Sequence, residues 1–183
     1  MWCRCVSERI TTYNHTDTHM PIHSEFFFCA SAFILGVVAG MRSMMAPAVL
    51  ALTLWRRPEY VPASAPAQWL ALFPVAVVLG IAALGELVAD KLPMTPNRIA
   101  LGPFVARLVT GSITGAALVQ VGGINPWAGA ACGAVGAIAG TFGMFHARKF
   151  AGCVTGISDP YIGAIEDVVA IAIAATVVAR LVG

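Results

Sequence analysis

The chain is 183 residues long, 58% hydrophobic and only 11% charged, with a mean hydropathy of +0.81. Soluble domains carry about a quarter of their residues as charges, so this composition excludes them and makes a lipid bilayer the expected solvent and partner. A formal net charge of +2 with no run of Lys or Arg argues against nucleic-acid partners. Five cysteines, Cys3, Cys5, Cys29, Cys132 and Cys153, lack CxxC spacing and imply neither a disulfide framework nor a zinc site.

Residues 1–25 make a polar tail. His15, His19 and His23 fall at four-residue spacing, which on a helix would gather three imidazoles for a metal. Thr16, Asp17, Thr18 and Pro21 oppose such a helix, so a disordered tail is the expectation, with no metal and no cofactor. Residues 26–183 then read as one transmembrane helical domain.

The first apolar stretch, Phe26 to Trp55, contains a single charge, Arg42. About 20 residues cross the hydrocarbon core, and this stretch is longer, so it must tilt, protrude or break. Gly40 and Pro47 bracket the expected break: proline removes a backbone donor and clashes with the preceding turn, and a guanidinium in lipid needs a partner or water. Arg56, Arg57, Pro58 and Glu59 begin a loop that runs to Pro66. The second span covers about Gln68 to Leu92 and is free of charge until Glu86 and Asp90. Pro93 and Pro96 mark the next loop.

A third span, about Gly102 to Val121, carries Arg107 near its start, and Gly122 to Pro126 makes a tight turn. The fourth runs from about Trp127 to Phe145, followed by a loop that opens with His146, Arg148 and Lys149. The fifth, about Tyr161 to Leu181, has Glu166 and Asp167 in its first two turns. The fold class is therefore all-α and polytopic, with about five transmembrane helices and a broken first helix.

Short cytoplasmic loops keep Lys and Arg. With five passes, the side holding Arg4, Arg9, Lys91, Arg98, Arg148 and Lys149 outweighs the side holding Arg56, Arg57 and Arg180. That places the protein in the cell (inner) membrane with a cytoplasmic N-terminus. It also brings Glu86, Asp90, Arg107, Glu166 and Asp167 to one depth, where lone charges are costly and must be paired or hydrated. Gly36-Val37-Val38-Ala39-Gly40 recurs as Gly136-Ala137-Ile138-Ala139-Gly140. Five passes would set the two copies upside down, as in transporters built from inverted repeats. The same glycine spacing, repeated at Gly111/Gly115 and Gly129/Gly133, also suits close helix packing.

The segments Gly40 to Ala48, Gly85 to Pro93 with Pro96-Asn97-Arg98, Arg107, and Glu166-Asp167 together resemble a family of small bacterial membrane proteins, domain of unknown function 4126, over about residues 28 to 180. The resemblance implies an integral membrane protein and transfers no catalytic or ligand-binding residues. The residues themselves suggest a small transporter or channel. Arg42, Glu86, Asp90, Arg107, Glu166 and Asp167 would form its pathway for a small ion or anionic solute, in a homo-oligomer. The alternative is a non-transporting scaffold or assembly protein whose charges are interhelical clamps. An enzyme is not expected, since no nucleophile, base or metal set gathers at membrane depth.

Overall fold

The computed structural model describes residues 22–89, 101–155 and 159–182, and within them the chain is all-helical. The helices are α1 (Ile22–Met41), α2 (Met45–Arg56), α3 (Ala67–Leu70), α4 (Phe73–Ala89), α5 (Leu101–Val121), α6 (Pro126–Thr155) and α7 (Asp159–Val182), with a 3-10 turn at Pro58–Tyr60. Leu101–Val121 and Pro126–Phe150 are each long and apolar enough to cross a bilayer. The tail residues 1–21, Asp90 and the two-proline loop lie outside the described residues, as do the side chains of His23 and Tyr161.

Local chemistry sets several helix ends. The α5–α6 turn uses Gly123 at φ +70°, a conformation that disfavours residues with a Cβ. Asn125 then caps α6, its Oδ1 accepting from the Trp127 amide at 3.0 Å, with Pro126 in the first helical position. The long first apolar stretch does break, between Met41 and Met45. Pro47 lies in the first turn of α2, where its missing donor removes no intrahelical bond.

Residue-to-residue contacts fix the direction of each helix. Phe28 of α1 lies against Gly122 at the end of α5, and Ala39 lies near Gly111, so α1 and α5 are antiparallel. Gly136 packs on Phe33 and Gly140 on Val37, so α1 and α6 run parallel. Gly115 faces Gly129 and Gly111 faces Gly133, so α5 and α6 are antiparallel. Glu86 bonds Ser43 while the Trp55 and Phe73 rings lie 5.0 Å apart, so α4 retraces α2 in reverse. Gln120, at the Phe28 end of α5, holds Ala65 and Ala67, which puts the foot of α2 back beside the start of α1. From α1 to α6 the longer helices therefore alternate in direction.

Two sequence expectations change as a result. The stretch 26–55 is not one helix but an antiparallel pair, α1 and α2, so each later helix runs opposite to the direction that a single first element would give it. The count of basic residues that set the N-terminus in the cytoplasm rested on five passes and no longer applies. The two glycine repeats are likewise not inverted: they lie parallel and face each other, with Gly36 against Gly136 and Gly40 against Gly140. Gly40 belongs to that seam rather than to the break. A Cβ there would meet the Thr141 amide nitrogen at 2.7 Å.

A third difference concerns α6, which continues as helix through His146, Arg148 and Lys149 to Thr155 where a loop is expected. Charge suggests a loop, yet Arg and Lys are good helix formers and no proline interrupts the run. The core between these helices is built mainly from small residues and a few leucines: Ala32, Ala39, Ala46, Ala51, Ala117, Ala170 and Ala174 with Leu35, Leu50, Leu54 and Leu118.

Candidate functional site

The interruption between α1 and α2 exposes backbone groups that an unbroken helix would satisfy internally. Arg42 still donates its amide to the Val38 carbonyl at 2.8 Å, but the Ser43 and Met44 amides have passed the end of α1. Both donate to the Glu86 carboxylate at 2.9 Å, one to each oxygen, and the Ser43 hydroxyl adds a third bond of 2.9 Å. Glu86 thus caps α2 from another helix, where a negative charge also meets the positive end of the helix dipole. On the α1 side, the Thr141 hydroxyl lies 2.8 Å from the Ala137 carbonyl and 3.3 Å from that of Gly40.

Arg42 is only 2% exposed, and its guanidinium pairs with Asp167 of α7 at 2.5 Å. The neighbouring Glu166, 3% exposed, takes a different partner. Arg148 of α6 donates from Nε at 2.7 Å and from a terminal nitrogen to the same Glu166 oxygen. Successive helical residues point about 100° apart, so α7 directs one carboxylate to the α1–α2 break and the other to α6. Arg107 is also buried, on α5. Gly111 lies opposite Ala39 in an antiparallel pair, so Arg107, one turn earlier, stands level with Ser43.

Of the residues singled out from sequence, Arg42 and Asp167 are in direct contact, Glu86 holds the segment next to Arg42, and Glu166 and Arg107 belong to the same layer. Asp90 lies outside the described residues. Arg148 was missed as a site residue, since it reads as a loop charge. Its spacing from the Gly136/Gly140 stripe on a continuing helix would have been the signal. Ser43 and Thr141 were missed too, because hydroxyls that satisfy a helix break carry no sequence signature of their own.

The layer thus joins three arginines, Arg42, Arg107 and Arg148, with three carboxylates, Glu86, Glu166 and Asp167, contributed by the α1–α2 break, α4, α5, α6 and α7. Balanced charge at one level reduces the field that any single ion would feel in a low-dielectric setting. Among the described residues no group of three or more His, Cys, Asp or Glu is arranged to hold a metal ion.

The family model described as Domain of unknown function (DUF4126) matches residues 29–180. The chain belongs to this family. The matched span begins within α1 and takes in nearly all of α7, so every residue of the charged layer falls inside the DUF4126 region. No curated protein and no solved structure matches the chain.

Proposed function

We propose that this DUF4126 protein is a multi-pass protein of the cell (inner) membrane that passes a small ion or anionic solute through its charged layer, working as a homo-oligomer. Membrane insertion is supported by where bulk and polarity lie. Small residues fill the inside, while Ile81, Leu84, Val88, Ile165 and Val168 stand 62–67% exposed on the outside. Water would penalise that distribution, since soluble monomers rarely present broad apolar faces, whereas lipid favours it. Which side the N-terminus faces is a matter for topology labelling, because the helix directions remove the charge count that assigned it.

The observation that carries the transport reading is the interrupted helix at Arg42. A break there places a half-helix N-terminus and a guanidinium in the same layer, each held by a carboxylate from another helix. Discontinuous helices of this kind present dipole ends to ions and solutes in transporters. Carboxylates held by ion pairs offer exchangeable partners, since protonation or an arriving anion changes which pair forms. A second reading, a non-transporting scaffold, is favoured by a specific fact: Glu86, Glu166 and Asp167 each already hold a partner, as clamps would.

Purified protein in liposomes distinguishes the two. Transport predicts ion or solute flux by the parent protein that falls at least tenfold in Glu86→Gln and Glu166→Gln. A parent that conducts nothing above empty liposomes rejects transport and leaves the scaffold.

A further inference from the structure

Cys29 and Cys132 take no part in the charged layer. They are far apart in sequence, on α1 and α6, and both are half-buried free thiols. The helix pairing brings them together. Gly136 packs on Phe33 and Gly140 on Val37, and one turn back along both parallel helices the same register sets Cys132 opposite Cys29. The Cys29 thiol interacts with Cys132, and Glu25 is its further charged neighbour. Facing Cα atoms must come within about 4.4–6.8 Å for a disulfide, and helices in backbone contact along a glycine seam can approach that closely.

We propose that Cys29 and Cys132 are a redox site: a dithiol that closes to a disulfide across the α1–α6 seam, with a lipid-soluble quinone as the two-electron oxidant. In the step, each thiol gives up its proton as its sulfur is oxidised. Thiolate is the form that attacks sulfur or an oxidant. The S–S bond forms as the two sulfurs together release two electrons and two protons. The quinone takes both electrons and both protons and leaves as the hydroquinone. Closing the bond ties α1, which leads into Arg42, to α6, which carries Arg148. Water-soluble disulfide exchange would reach a thiol pair between helices poorly, whereas a quinone partitions into the apolar surroundings.

The proposal draws on the membrane reading only for its oxidant, and the experiment separates the two parts. Full-length protein with Cys3→Ser, Cys5→Ser and Cys153→Ser is reduced, reconstituted in vesicles and exposed either to a short-chain ubiquinone or to diamide. Trypsin then releases residues 10–42 and 108–148 as the peptides bearing Cys29 and Cys132. The expected result is one quinone reduced per chain and a disulfide joining these two peptides, reversed by dithiothreitol and absent in Cys29→Ser and in Cys132→Ser. Closure by diamide without closure by quinone overturns the assigned oxidant. Failure of both oxidants on folded protein, or disulfides found only between differently isotope-labelled chains, overturns the pairing itself.

Discussion

The two ways in which α6 meets its neighbours differ in kind. Along the seam with α1 and α5, glycines let backbones touch, so contact is made largely by dispersion between main-chain atoms, with only small side chains such as Ala137 and Val119 beside them. At Thr141, the residue after Gly140 of the seam, and at Arg148, about two turns on, the same helix meets its neighbours through a hydroxyl and an ion pair. The seam has no alternative arrangement at equal energy, because any added atom collides with backbone. The charged layer is held instead by side chains, Arg42 with Asp167 and Arg148 with Glu166. A seam of backbone contacts thus lies beside a layer of side-chain pairs on the same helix.

The sharpest way to break this contrast is to add bulk to the seam. Gly136→Leu forces a side chain into the Phe33 carbonyl and the Gly36 backbone, and overpacking between backbones that cannot yield exceeds the usual 1–3 kcal/mol. The expected outcome is loss of the folded monodisperse protein on size-exclusion chromatography in detergent. A well-folded variant would mean that the seam yields after all.

A smaller effect tests the layer. Removing one member of a buried pair costs about 3–5 kcal/mol, because it strands the other charge. Arg148→Glu or Glu166→Arg alone should therefore destabilise by several kcal/mol in reversible unfolding in mixed micelles, and the double swap should recover at least half of that loss. No recovery would show that the surrounding field, not the pair, holds Glu166 in place.

The smallest effect concerns the break. Glu86→Ala removes the cap from α2, worth about 2 kcal/mol at a helix N-terminus. Amide exchange at Ser43 and Met44 should accelerate at least tenfold while amides in α5 keep their protection. Uniform acceleration across all helices would instead assign Glu86 to global stability.

Much of this architecture was legible in the chain. The helical class, the break near Arg42 and the turn at Gly122 to Pro126 follow from apolar run length and from proline and glycine chemistry, and the penalty on stranded charge marks Arg42, Glu86, Arg107, Glu166 and Asp167 as residues that need partners. These are local or one-dimensional properties, and they survive any arrangement of the helices. Not legible was the reversal between α1 and α2, since a three-residue gap permits either a kink or a return, and the choice falls to contacts with α4 and α5 distant in sequence. Partner choice was likewise tertiary: composition requires that Glu166 be paired, but only the continuation of α6 past His146 delivers Arg148 to it. The sequence by itself determined which residues could not stand alone, because the energy of burying a charge or breaking a helix is set residue by residue. Only the tertiary structure decided who satisfies whom, and that the two glycine repeats face each other in parallel, because those depend on direction and register between helices.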